Sequence, residues 1–259
     1  MWPTLPVAAT KVPAVRSDPS RRLRTTFGPP VRRAQRWFVA RSPWSPGWMD
    51  PDRSALPRRT ARRIQDATFH YRYNGAVCVK NPFDLAHYMR LLSELRPRTI
   101  VEIGTLAGGS AAWFAAQARG LGLDAHVHTF DLVQMPMVTD PDVSFHVGDI
   151  TRLDESVLPG ILAECPRPLL VVEDGPHTYE GSLAALRFFD RHLRAGEYIV
   201  VEDGLLKHLG VDELADGPNR AITAFLAERG ADYEVDRGYC DFYGRNVTWN
   251  TNGYLRRRT

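Results

Sequence analysis

The chain has 259 residues, 44% of them hydrophobic, and a formal net charge of +3, enough to bury one large core or one core with an appendage. No apolar run reaches the roughly 18 residues of a membrane span, and residues 1–10 lack the charged start and long apolar stretch of a secretory signal. The three cysteines, Cys78, Cys165 and Cys240, are odd in number and lack metal-ligand spacing, which fits a reducing cytoplasm.

The modest net charge hides an asymmetry. Residues 1–63 carry 14 Lys/Arg against 3 Asp/Glu, and the remainder carries 19 against 27. Residues 1–65 read as an Arg/Pro-rich arm, broken by prolines from Pro3 to Pro57, with one short helical possibility around Val31 to Ala40. The arginines are interleaved with Pro, Trp and Ser and fit no nucleic-acid-binding motif. An Arg-rich, acid-poor start also suits an organelle transit peptide, but the prolines oppose the amphipathic helix this would need. The expectation is a solvated arm, or one packed against the body or a sister subunit in a homo-oligomer.

Residues 66–259 read as one domain. Asn81 opens NPFDLAHYMRLLSEL, with proline at an early helical position and apolar residues at helical spacing. Strand patterns follow at Thr99 to Ile103, His126 to Phe130, Val143 to Val147, Leu169 to Glu173 and Tyr198 to Glu202. They alternate with helical patterns near Ser110 to Arg119, Ser156 to Glu164, Gly181 to His192 and Asn219 to Arg229. That rhythm predicts a doubly wound, mostly parallel α/β sheet with ligands at the carboxyl ends of its strands. Tyr233 to Val235 and Asn246 to Trp249 read as two further strands closing the sheet.

Chemistry gathers at the strand ends. In VEIGTLAGGSA a strand ends at Ile103, Gly104 permits a tight turn, Thr105 follows in it, Gly108 and Gly109 let a ligand approach the backbone, and Ser110 begins a helix. The turn is neither a dinucleotide GxGxxG nor a P-loop. Asp131, at the end of the next strand, can bind both hydroxyls of a ribose, or can simply cap the next segment. Asp149, ending a third strand, can touch a nucleobase or serve as a turn residue. Two further apolar runs end in VVEDGPH and YIVVEDG. If those strands are neighbours, Asp174, Glu202 and Asp203 converge at one edge, where a hard divalent cation is the simplest way to make them stable. His177, three residues after Asp174, is then placed as a base. Oxygen ligands favour Mg²⁺, Ca²⁺ or Mn²⁺ over zinc.

Together KNPFD, VEIGTLAGGS, VEDGPHTYE, YIVVEDG and NVTWNTNGYLRR make the stretch from Tyr71 to Arg257 resemble the cephalosporin hydroxylase and rhamnosyl O-methyltransferase family, within the class I S-adenosylmethionine-dependent methyltransferases. The resemblance implies a Rossmann-like, seven-stranded sheet with one reversed edge strand. It also implies a cofactor over Gly104 with Glu102 and Ser110 near its methionine end, Asp131 on the ribose and Asp149 near the adenine. Asp174, Glu202 and Asp203 match the family's magnesium ligands, with Mn²⁺ as the other candidate, and His177 sits where sugar-modifying relatives carry their base. The implied activity is methyl transfer to a hydroxyl of a small natural product, with a sugar as first choice. A hydroxylase with a non-haem metal site and a non-catalytic cofactor-binding protein are the alternatives.

Overall fold

The computed structural model describes residues 51–211 and 217–259. The helical possibility at Val31 to Ala40 lies outside the described residues. Among those described, no helix is long and apolar enough to cross a membrane.

The first described helix begins inside the stretch read as an arm. Helix α1 (Arg58–Thr68) crosses the boundary drawn after residue 65 and packs on the body. Its Ala61 and Ile64 join Leu205, Leu206, Leu209 and Trp249 in a small apolar cluster, and Trp249 donates its indole N–H to Gln65. A short hairpin, β1 (Arg72–Tyr73) with β2 (Ala76–Val77), leads into α2 (Pro82–Leu95). Asn81 caps α2 by accepting from the N–H groups of Phe83 and Asp84, with Pro82 at the first position, where a missing donor costs nothing.

The body then alternates as its sequence predicts: β3 (Thr99–Ile103), α3 (Gly109–Gly120), β4 (His126–Asp131), β5 (Val143–Val147), a 3₁₀ turn (Ile150–Glu155), α4 (Leu158–Glu164), β6 (Leu169–Glu173), α5 (Tyr179–Asp190) and β7 (Tyr198–Val201). After β7 come α6 (Leu206–Leu209), α7 (Gly217–Arg229), β8 (Tyr233–Val235), α8 (Arg237–Cys240) and β9 (Tyr254–Arg257). The seven-stranded sheet has the order β5-β4-β3-β6-β7-β9-β8. Strands β3, β6 and β7 are buried along their whole length, because helices cover both faces. One face packs α5, α7 and the 3₁₀ turn around Phe130, Leu158, Phe189 and Phe225, and the other packs α2 and α3 around Tyr88, Leu91, Trp113 and Phe114. Each fully buried aliphatic or Phe side chain contributes about 1.5–3 kcal/mol.

Two expectations for the sheet's far side are corrected. The reversed strand is β9, antiparallel to both β7 and β8, so it lies one position in from the edge. Asn246 to Trp249 is not a strand but a buried polar loop. Asn246 takes a left-handed φ of 50°, and Thr248 and the Trp249 N–H both donate to the Asp84 carboxylate at the start of α2. Side-chain bonds to distant partners here replace a ladder.

Candidate active site

Parallel pairing of β3, β6 and β7 brings the sequence-predicted residues to one edge. Asp174 N–H donates to the Ile103 carbonyl at 2.8 Å, and Glu202 N–H donates to the Glu173 carbonyl at 2.9 Å. The glycine turn therefore abuts the acidic turn directly. Gly104 has φ +103°, and a Cβ there would lie 1.9 Å from the Asp174 carbonyl oxygen. Gly108, also left-handed at φ 80°, caps α3.

The cofactor half of the site is built from β3 and β4. Asp131 uses its carboxylate to hold the turn: Oδ2 accepts from the Thr105 and Leu106 N–H groups at 3.0 Å each, and Oδ1 accepts from Leu132 at 2.8 Å. The Thr105 hydroxyl bonds that of Thr129 at 2.8 Å. Glu102 is fully buried; its Oε2 accepts from Thr129 at 2.7 Å, while Oε1 has no partner. Asp149 turns to Thr151, accepting from its N–H at 2.8 Å and its hydroxyl at 2.7 Å. It is the N-cap of the 3₁₀ turn.

Burial pushes the Glu102 carboxyl up to about 6, against an opposing pull from Lys80. A glutamate in the unfolded chain ionises near 4.5, so between that pH and 6 the folded state keeps a proton that the unfolded state has lost. Stability must then fall as pH rises through this window, by about 2 kcal/mol in all. The melting temperature of cofactor-free protein is expected to drop across the window, and Glu102→Gln to drop less. Identical profiles for the two proteins would sink this account.

The acidic half follows β6 and β7. One donor atom each from Asp174, His177 and Asp203 lies within 4.8 Å of the others. His177 Nε2 is 3.2 Å from Asp203 Oδ2, and its buried Nδ1 has no partner. Both His177 (φ 55°) and Asp203 (φ 60°) are left-handed, a conformation that non-glycine residues adopt at a cost and that clusters at functional sites. Glu202 stands apart from this group. Its Oε1 accepts from the Tyr88 hydroxyl at 2.6 Å and lies 3.0 Å from Lys80 Nζ, which also contacts Asp174 Oδ2.

Burial alone would lower the Lys80 ammonium, but Asp174, Glu202 and Glu102 outweigh it and hold the group well above the ordinary lysine range. Burial and Asp174 push Glu202 well above the carboxylate range, more than Lys80 and Tyr88 lower it. Burial pushes Asp203 up to about 6, with His177 opposing. One lysine thus does not neutralise the cluster. The carboxylates fit a divalent cation, since Asp174 and Asp203 converge, with the His177 imidazole beside them, while further negative charge is left over. It is not the two-histidine, one-carboxylate set of a non-haem oxygenase.

A cavity of about 830 Å³ joins the halves, lined by Gly104, Thr105, Ser110, Asp131, Asp174, His177 and Asp203. Glu102, Gly108, Asp149 and Glu202 are not among its lining residues. The far side is α1 and α6, through Arg62, Gln65, Phe69, Leu206 and Leu209. Sequence reasoning missed Lys80 and Tyr88. One signal was available for Lys80: a cation immediately before a helix N-cap opposes the helix dipole and needs another reason to be there.

Sheet order and glycine turn define a Rossmann-like fold, and the relatives make the class an S-adenosylmethionine-dependent O-methyltransferase. The chain belongs to the rhamnosyl O-methyltransferase/CmcI family, whose model matches residues 65–258. It is 31% identical over 190 residues to the rhamnosyl O-methyltransferase of Mycobacterium leprae (strain TN), covering 71% of this chain and 82% of that one. It is 32% identical over 193 residues to the enzyme of the same description from Mycobacterium tuberculosis (strain ATCC 25618 / H37Rv), covering 71% and 76%. Among solved structures it resembles the CmcI-N160 apo-structure, with TM-score 0.58, 25% identity and coverage of 73% and 76%. The Mg-SAM structure of cmcI-D160 superposes with TM-score 0.59 at 24% identity, covering 95% and 89%.

Proposed function

We propose that the chain transfers a methyl group to a sugar hydroxyl of a small glycosylated natural product in a Mg²⁺-dependent reaction, with Mn²⁺ as the other candidate metal. The observation that carries this reading is the convergence of Asp174, His177 and Asp203 beside the cofactor turn in one cavity. The relatives' description as rhamnosyl O-methyltransferases supports a sugar as the acceptor. The apolar part of the far wall, Phe69, Leu206 and Leu209, suits the apolar body that carries such a sugar.

When bound, S-adenosylmethionine supplies an electrophilic methyl and the cation supplies the charge that makes an alcohol acidic enough to react. The chain's own part is mainly positioning. Gly104 and Gly108 open the backbone to the cofactor, Asp131 holds the turn and reaches the ribose, and Glu102 faces the methionine end with its unpartnered Oε1. Asp174, Glu202 and Asp203 would hold the metal. His177 takes the hydroxyl proton, and Asp203 orients its ring.

The test is methyl transfer from labelled cofactor to a rhamnosylated acceptor, before and after chelator treatment. Activity is expected to vanish on stripping and return with Mg²⁺. Asp174→Ala is expected to abolish turnover while calorimetry still detects cofactor binding. Full activity in stripped, chelated protein would eliminate the metal reading.

A further inference from the structure

Lys80 is the most completely buried cation in the cavity wall, with its side chain 2% exposed. Its position is fixed from both sides. Its N–H donates to the Cys78 carbonyl at 2.8 Å, and the next residue, Asn81, is the N-cap of α2. The hairpin before it is pressed onto α3, where a Cβ on Gly109 would lie 2.2 Å from the Val77 carbonyl oxygen. The ammonium therefore cannot swing out to solvent as a surface lysine does.

Its contacts divide the acidic cluster atom by atom. Lys80 takes Oδ2 of Asp174 and Oε1 of Glu202, and Tyr88 reinforces the hold on Oε1. Among the described residues, no hydrogen bond reaches the second oxygen of either carboxylate. Each therefore has one oxygen to offer. In charge, Asp174, Glu202 and Asp203 with Lys80 leave a net of −2 when ionised, which a divalent cation cancels.

The geometry points to Lys80 as the positioning residue that sets the metal preference of this site, by withholding one oxygen of Asp174 and one of Glu202 so that each can bind a cation only through the other. The inference rests on the metal reading proposed above. A small cation that demands six-coordinate geometry, such as Mg²⁺, is served by single oxygens and water, whereas Ca²⁺ takes six to eight oxygens and commonly uses both from one carboxylate. Removing the ammonium would free two oxygens and one negative charge together. Ca²⁺ gains from both changes, and Mg²⁺ gains mainly from the second.

The experiment is calorimetric titration of the full, chelator-stripped chain with Mg²⁺ alone and with Ca²⁺ alone, on wild type, Lys80→Met and Lys80→Gln. Wild type is expected to bind Mg²⁺ more tightly than Ca²⁺. Lys80→Met is expected to bind both more tightly, with Ca²⁺ gaining about tenfold more than Mg²⁺. Lys80→Gln keeps N–H donors for both carboxylates but lacks the charge, so both ions should tighten by a similar factor with the wild-type preference kept. If Lys80→Met does not fold, Lys80→Gln carries the test through that joint tightening. A Lys80→Met variant that tightens both ions equally, or variants that bind both ions as wild type does or more weakly, would overturn the inference. A wild-type chain that binds neither ion would overturn the metal reading itself.

Discussion

Gly104→Ala should remove cofactor binding and metal binding together. The new Cβ would lie 1.9 Å from the Asp174 carbonyl oxygen and 2.7 Å from its carbon, and no rotamer change relieves a clash with backbone. The residue is also at φ +103°, which alanine tolerates poorly. To make room, the ends of β3 and β6 must part at the bond from Asp174 N–H to Ile103. Both half-sites then lose their geometry, and stability falls by about 3 kcal/mol, combining overpacking with the left-handed backbone. Gly122→Ala is the comparison: it is also left-handed at φ +66°, but nothing lies within 4 Å of its added Cβ. Denaturant unfolding and calorimetry on the two variants measure the contrast. If Gly104→Ala binds cofactor as wild type does, the tight coupling of the turns is wrong.

The second large effect is on the chemical step. His177 should be tested as His177→Asn rather than alanine, because φ 55° is a conformation asparagine adopts readily and alanine does not. The expected result is a kcat lower by about 10²- to 10⁴-fold, the usual span for a positioned base. Cofactor affinity should be unchanged, because the His177 ring contacts Asp203 and makes no hydrogen bond to Asp131 or to the glycine turn. Single-turnover kinetics separate the methyl-transfer rate from product release. A near-normal rate places the base elsewhere, and loss of metal binding would show that His177 is a ligand.

The central sheet was legible because TIVEI, LLVVE and YIVV are apolar without alternation, as strands covered on both faces must be. Their acidic ends followed from the same pattern, since ligands collect where parallel strands end. The tail was not legible. NVTWN mixes β-branched and aromatic residues like a strand, but its conformation answers to Asp84, more than 160 positions earlier. Helix α1 was hidden by its composition: five of the eleven residues of RRTARRIQDAT are charged, and on the opposite face only Ala61 and Ile64 enter an apolar cluster with the body. Asp131 and Asp149 look alike in sequence, each an acid at a strand end. Only the fold shows that one braces the glycine turn and the other caps a 3₁₀ turn. Lys80 and Tyr88 read as an ordinary pre-helix residue and an ordinary helix-core residue, because nothing local reveals the carboxylates they meet.

The Asp84 network also bears on the order in which this protein can be made. Asp84 takes its partners from Thr248, Trp249 and Tyr254, and it sits four residues after Lys80 on the segment that delivers the lysine to the acids. During synthesis the glycine turn, Asp174 and Asp203 emerge before Thr248, Trp249 and Tyr254, the distant partners of Asp84. Contacts over such separations are slow to form, because the closure entropy precedes any reward. The nascent chain must therefore carry an unfinished cluster of acids until β9 leaves the ribosome, inserts between β7 and β8, and lets the catalytic edge close.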